Sequence, residues 1–306
     1  MTPPTTVITG TTHGIGRVAA QALAQAGHRV VMLVRNPQAG AQVREAIVAA
    51  VPAAELHVVA CDLASLAQVR RATEIVCAEH GPIDRLIHNA GTVATRLQAT
   101  VDGYEKVFAT NHLGPFLLNQ GLMHRMADGG RVIVVASCAH ERARLGAGPR
   151  AEPGSSPGAT YDGFGALDAW ANPTARGWGA RQAYNRSKLA NILFTLALKR
   201  RLAAHPQRAR VTAHCLHPGI VHTHLLPAWL RLLKPLISRG MIDAQAGAQT
   251  LLHLALHPDA GALHGCYLDE HQQIATPSAL ARDVALQEAL WSRSLRWTGL
   301  PPEPGV

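Results

Sequence analysis

Two rhythms of apolar and polar positions alternate along this chain. Short β-branched runs suit strands, and longer stretches with apolar residues every three or four positions suit helices. Residues 6–9 read as a short buried strand that ends at Gly10, and a helix with an Ala/Leu face follows over 15–26, stopped by Gly27. RVVMLV, over 29–34, is an unbroken run of strand formers, as expected of a strand covered on both faces. Next come a helix over 39–50, a strand over 56–60, a helix over 69–79 and a strand over 85–88. A helix after Gly114 then leads into a strand over 131–135. This repeated strand–helix order predicts an α/β domain with a doubly wound parallel sheet, right-handed crossovers and helices on both faces.

The rhythm fails over 141–183, which is rich in Gly, Pro, Ser and Arg and too long for an ordinary connection. It reads as an insertion within a single domain spanning 1–306. Periodicity returns in a helix over 182–203 and a strand over 211–216 that ends at His217-Pro218-Gly219. A helical region over 244–256 and a short strand around 265–268 close the series. The segment LLPAWLRLLKPLI, over 225–237, is apolar with Arg231 and Lys234 interleaved. Its first reading is a lid, over about 220–243, that brings Trp229 and leucines to an apolar substrate pocket. An amphipathic helix completing the core, or one lying on a membrane surface, are the alternatives.

Composition narrows the classes. Of 306 residues, 47% are hydrophobic and 16% charged, which excludes a disordered chain. The net charge of +9 is scattered, with no basic run of the nucleic-acid-binding kind, so no nucleic-acid partner is expected. A diffuse positive field suits an anionic ligand such as a dinucleotide phosphate. The five cysteines form no CxxC pair and are odd in number, which points to reduced thiols and a cytoplasmic setting. No signal peptide is expected from MTPPTTVITG, and no apolar run is long enough to span a bilayer. His222 and His224 form an HxH pair, but no Cys or acidic partner stands at a convincing spacing, so no metal is expected.

The chemistry begins at Thr9-Gly10-Thr11-Thr12-His13-Gly14-Ile15-Gly16, a strand-to-helix junction. Gly10 permits the tight turn, Gly14 lets backbone approach a pyrophosphate, and Gly16 lets the helix pack close to the sheet. The helix N-terminus adds N–H groups and a positive dipole for phosphates. At the end of the second strand, where an NAD enzyme usually places an acid for the ribose 2′-OH, this chain has Arg35. A guanidinium there would fork onto a 2′-phosphate, with Arg17 assisting, so the cofactor expected is NADP(H). Tyr184 and Lys188 stand four apart within a helix and therefore share one face. A nearby ammonium favours the phenolate and lowers a tyrosine's pKa from its ordinary value of about 10, toward the range useful for proton exchange.

These motifs together resemble the short-chain dehydrogenase/reductases, and within them the retinol dehydrogenase-like branch, with its Rossmann-type fold. Residues 9–16 are similar to the family's TGxxxGIG, and Cys61-Asp62-Leu63 to its adenine-contacting Asp-Leu. His88-Asn89-Ala90-Gly91 resembles NNAG with His for the first Asn. Asn111 matches the VNHLG stretch, and Ser137 the serine of V-S-S-x-A-H. Tyr184 and Lys188 match YxxSK-LAN, His217-Pro218-Gly219 with Thr223 matches HPGxVxT, and Leu263 to Tyr267 resembles SGxY. The resemblance implies a catalytic set of Asn111, Ser137, Tyr184 and Lys188. Tyr184 is then the general acid or base, Lys188 depresses its pKa and holds the nicotinamide ribose, Ser137 orients the reacting oxygen, and Asn111 holds a relay water. Gly10, Thr12, His13, Gly14, Ile15, Gly16, Arg35, Asp62, Leu63, Asn89, Ala90, Gly91, Pro218, Gly219 and Thr223 are the implied cofactor contacts, besides Tyr184 and Lys188.

The activity implied is interconversion of a ketone or aldehyde with its alcohol on an apolar or bulky small molecule. The alternatives are NADP(H)-dependent reduction of a C=C bond, or a non-catalytic NADP(H)-binding sensor or scaffold. Relatives also pair into homodimers through helices corresponding here to 113–126 and 182–203. The insertion, which stretches the Ser137-to-Tyr184 gap to 47 positions, stands to block that surface.

Overall fold

The computed structural model describes residues 2–146, 165–172, 179–219, 242–263 and 265–302. The first half alternates as its pattern predicts: β1 Thr5–Thr9, α1 Gly14–Gln25, β2 Arg29–Val34, α2 Pro37–Ala50, β3 Glu55–Ala60, α3 Leu66–Glu79 and β4 Ile83–His88. Then follow α4 Lys106–Phe108, a widened π-helical turn Ala109–Leu113, α5 Gly114–Leu122 and β5 Met126–Val135. Beyond them lie α6 Asp168–Ala171, α7 Ala180–Ala204, β6 Thr212–Leu216 and α8 Ala244–Leu256. The chain closes with β7 Tyr267–Leu268, β8 Ile274–Ala275, α9 Ala279–Arg282 and α10 Val284–Trp297.

The strands form one sheet in the order β3-β2-β1-β4-β5-β6-β7-β8, parallel throughout except for antiparallel β8. From β1 the chain winds outward to β3, then crosses back to β4. A crevice therefore opens between the carboxyl ends of β1 and β4, where sheets of this kind bind ligands. Successive strand residues face opposite layers, so Val7, Val31, Leu86 and Val132 pack with α3, α5, α7 and α10. Ile8, Val30, Met32, Ile87 and Ile133 pack with α1, α2 and α8. At the far end of the sheet, Arg85 and Arg131 donate to carbonyls closing α8, at 2.6 Å to Ala255 and 2.8 Å to Leu254 and His257.

Two features of the second half were not readable from the sequence pattern. The first is where the described parts of the 141–183 stretch pack. Trp170 is buried edge-on to Phe108, with the Arg186 guanidinium 5.8 Å from its ring centroid. Asp168 pairs with Arg293 and Arg296. Residues 180–183 already form the first turn of α7, so the helix starts two residues earlier than its periodicity indicates.

The second is α10, which the pattern did not announce. Trp291 stacks on Phe194 of α7 at 5.9 Å and meets Phe116 of α5 edge-on at 5.1 Å. The Arg201 guanidinium lies 4.0 Å from the Trp291 ring centroid while donating to Glu288. The chain's last helix thus lies over Phe116 of α5 and Phe194 of α7. Among the described residues, no helix is long and apolar enough to cross a membrane.

Trp291 ties α5, α7 and α10 together, so Trp291→Ala should destabilise the chain by about 3–5 kcal/mol, the usual cost of emptying a buried aromatic site. A urea unfolding curve should show the midpoint falling accordingly, and an unchanged midpoint would disprove this account of the α10 contact.

Candidate active site

The glycine loop lines the crevice. Gly10 and Gly14 have left-handed backbones, φ +73° and +57°. A Cβ on Gly16 would lie 2.1 Å from the Gly10 carbonyl oxygen, so only glycine lets α1 start this close to the loop. No atom lies within 4 Å of where a Gly14 Cβ would stand, which leaves that backbone open to an approaching group. The loop is latched to β4 by Asn89, whose Nδ2 donates to the Thr9 and Gly10 carbonyls at 2.9 and 3.0 Å. The backbone N–H groups of Asn89 and Ala90 donate to Thr9 Oγ1 at 3.1 and 3.0 Å. Asn89 and Ala90, expected as cofactor contacts, thus also shape the loop.

Several features of this loop fit a dinucleotide phosphate. His13 at the start of α1 gives no side-chain cap, unlike Asn36, Ser65, Asp243 and Asp283, which cap α2, α3, α8 and α10. Its ring lies 3.0 Å from Thr12 Oγ1 instead. The opening amides of α1 thus remain for an anion. Thr11 Oγ1 is buried with no hydrogen-bond partner. Ile15 is half-buried beside the loop, and Arg35 and Arg17 are exposed at the end of β2 and on α1. Past β3, Asp62 accepts the Ala64 N–H at 3.0 Å, and Leu63 is buried under α5, where a Cβ on Gly114 would meet the Leu63 carbonyl oxygen at 2.3 Å. All of these lie at the carboxyl ends of β1 to β4.

The four residues of the expected catalytic set converge beside this loop. Ser137 follows β5 and caps a 3-10 turn, Cys138–Arg142, by accepting the Ala139 N–H. The Tyr184 phenol, on the second turn of α7, faces the Ser137 side chain, whose hydroxyl favours the phenolate. Lys188, one turn further, donates to the Val135 carbonyl at 2.8 Å, with Nζ 5.8 Å from the Tyr184 ring centroid. That leaves two of the three ammonium N–H groups for other partners.

A Cβ on Gly91 would lie 3.5 Å from Lys188 Nζ and 3.6 Å from Asn111 Oδ1, so both side chains face this glycine. Asn111 sits in the π-helical turn; its Oδ1 accepts the Thr92 N–H, and its Nδ2 donates to Thr92 O and Ser187 Oγ. Both amide hydrogens are thereby taken, and the side chain's visible work is to bind the 91–92 segment to α7.

Burial sets the charge states. It lowers the Lys188 ammonium to about 8, because removing a cation from water penalises its charged form. The same burial raises the Tyr184 phenol above its ordinary value, with the Ser137 hydroxyl opposing and Cys138 adding to the rise. In the chain alone, burial thus outweighs the depression expected from Lys188.

Two histidines that the motifs include without a role of their own frame the site. His140 Nδ1 lies 2.8 Å from the Ser137 carbonyl oxygen, and its Nε2 accepts the Ser278 N–H at 3.1 Å. An accepting Nε2 carries no proton, so the ring is the neutral Nδ1–H form, and burial holds its pKa down. It locks Ser137 to the segment ahead of α9. The signal was the His of the Ser-Cys-Ala-His motif, quoted for its serine alone. His217 is held between Gly219 and Glu270. His88, in place of the family's Asn, packs edge-on to Phe194, with burial pushing it down to about 4 and Asn119 opposing. Pro218 and Gly219 follow β6; Thr223, His222, His224 and nearly all of the lid segment lie outside the described residues.

Comparison with known proteins agrees with this geometry. The family described as short chain dehydrogenase matches residues 4–148. Human retinol dehydrogenase 11 is 32% identical over 299 residues, covering 96% of this chain and 86% of that protein. The chain belongs to the short-chain dehydrogenase family. Within this family it is retinol dehydrogenase-like, and it is an oxidoreductase that uses a nicotinamide cofactor. Among solved structures, an uncharacterized protein from Mycobacterium Paratuberculosis superposes with a TM-score of 0.74 at 30% identity, covering 98% of this chain and 97% of the other. A blue fluorescent protein from a metagenomic library, solved in complex with NADPH, has a TM-score of 0.65 at 25% identity, covering 88% and 97%.

The buried ammonium has a measurable signature. Lys188 has a folded pKa of about 8 against an ordinary 10.5, so between those values the unfolded chain binds more protons and stability rises with pH. At about 1.4 kcal/mol per unit, wild type should gain up to about 3 kcal/mol over this window relative to Lys188→Met, which lacks the group. Denaturant unfolding of both proteins at pH 7.5 and 10.5 checks this; parallel pH profiles would show that the ammonium is not desolvated.

Proposed function

We propose that this short-chain dehydrogenase interconverts a ketone or aldehyde with its alcohol, using NADP(H), on an apolar or bulky small molecule. The observation that carries the reading is the Tyr184 phenol facing the Ser137 side chain, with the Lys188 ammonium one helical turn away. A carbonyl oxygen placed between the two hydroxyls meets a proton donor and an orienting donor together. The retinol dehydrogenase relative, named for an alcohol substrate, supports the class of reaction.

The α1 amides and the Gly14 backbone would hold the pyrophosphate, and Lys188 would hold the nicotinamide ribose. Arg35 supports NADP(H), since it is exposed at the end of β2 and has the fork that a 2′-phosphate takes. The cofactor, when bound, supplies or accepts the hydride at the carbonyl carbon. The protein's part is to manage the proton and the oxygen. Ser137 donates to the reacting oxygen, its backbone fixed by His140. Tyr184 passes its proton to that oxygen in reduction and takes it back in oxidation. Lys188, held by Val135, offers its positive charge to the phenolate left behind.

Two substitutions test the parts separately. Arg35→Asp should weaken NADPH about 10- to 100-fold, the worth of charge-assisted hydrogen bonds of 1.5–3 kcal/mol, and leave NADH nearly unaffected. Tryptophan fluorescence titration measures both, and unchanged NADPH affinity would refute the NADP(H) assignment. Tyr184→Phe should lower turnover of apolar ketones by at least about 100-fold while NADPH still binds. Retained turnover would refute the mechanism.

A further inference from the structure

Glu270 lies in the turn between β7 and β8, outside every motif described above. Its Oε2 is 2.6 Å from His217 Nε2. The other ring nitrogen, Nδ1, accepts the Gly219 N–H at 3.0 Å. A ring nitrogen that accepts carries no proton, so the proton stands on Nε2 and is donated to Glu270. The His217 backbone N–H donates to the Leu268 carbonyl at 2.9 Å, which joins the same two segments again.

Gly219 itself is left-handed, φ +80°. A Cβ there would stand 2.8 Å from Ile242 Cδ1 and 3.4 Å from Glu270 Cβ. The Pro218–Gly219 turn is thus gripped by a ring on one side and by packing on the other. It lies at the carboxyl end of β6, the strand beside β5, and the Ala136 N–H donates to the Leu216 carbonyl at 2.8 Å. It therefore opens onto the same end of the sheet as Ser137.

We propose that Glu270 is a positioning residue for the nicotinamide half of the cofactor. It orients the His217 ring, and the ring holds the Pro218–Gly219 turn in the shape that borders the bound nicotinamide. Glu270 touches no reacting atom and acts through His217 alone. Without its carboxylate, the ring is free to turn about its Cβ–Cγ bond and release the Gly219 N–H. This assignment rests on the NADP(H) reading of the site.

The test separates the two halves of the cofactor. Glu270→Ala should weaken NADPH about fivefold, the usual net worth of one hydrogen bond, and leave 2′,5′-ADP, which lacks the nicotinamide, unchanged. Glu270→Gln keeps an acceptor oxygen and should restore NADPH affinity to within about twofold. Asn in place of His217 keeps an acceptor for a backbone N–H two residues on, so in His217→Asn the further change Glu270→Ala should have no effect. Equal weakening of both ligands by Glu270→Ala would mean general loosening and overturn the proposal, as would unchanged NADPH affinity. A wild-type chain that binds neither ligand overturns the cofactor reading, and this assignment with it.

Discussion

The crossing of the chain from β3 back to β4 forces two loops into the same narrow space, and the contact between them shapes the active site. The glycine loop after β1 and the Asn89-Ala90 corner after β4 touch so closely that a Cβ on Gly10 would stand 2.8 Å from Ala90 Cα, and one on Gly16 2.4 Å from Asn89 Nδ2. Backbone packed this tightly must satisfy its polar groups locally, and the Asn89 amide does so with two carbonyls of the loop. A rigid, left-handed loop results, its uncapped helix amides aimed into the crevice. Affinity for an anion is thus prepared before any ligand arrives.

The catalytic side follows the opposite policy. Lys188, Asn111, His140 and Ser187 are all buried polar groups, and each has at least one named partner. Lys188 is the costliest, because an ammonium is removed from water for one carbonyl contact. A chain selected for stability alone would put a hydrocarbon there. The burial of the aromatic cluster of Phe108, Phe116, Phe194 and Trp291 against α7 offsets that cost. Stability and chemistry therefore meet on a single helix: its inner face lies on the sheet and carries the ammonium, and the neighbouring face carries the aromatic seam with α10.

Local spacing made much of this legible. Glycines at 10, 14 and 16, the four-residue step from Tyr184 to Lys188, and the β-branched strands each report on neighbours within a few positions, where backbone geometry allows few arrangements. What escaped the pattern depends on distant partners. In α10, Gln287, Arg293 and Ser294 are buried because Ala281, Asp168 and His112 bond them, so the helix shows no clean apolar stripe. Trp170 belongs to the core only because Phe108 and Arg186 flank it, though it stands amid Gly and Pro. Glu270 looks like any surface acid until His217 is found beside it.

By itself, then, the sequence determined the doubly wound sheet, the glycine loop at its carboxyl edge, and the candidate catalytic groups that meet beside it. Those properties follow from covalent spacing and from the steric limits of single residues. Tertiary structure alone decided that burial raises the Tyr184 phenol and lowers the Lys188 ammonium, and that Asn89 and Asn111 brace the segments around the site. It also decided that α10 packs on α5 and α7 through Trp291, and that His140 and His217 each carry their ring proton on a particular nitrogen. Charge state and hydrogen-bond assignment depend on which distant groups exclude water and which donate, and the spacing of residues along a chain carries no record of either.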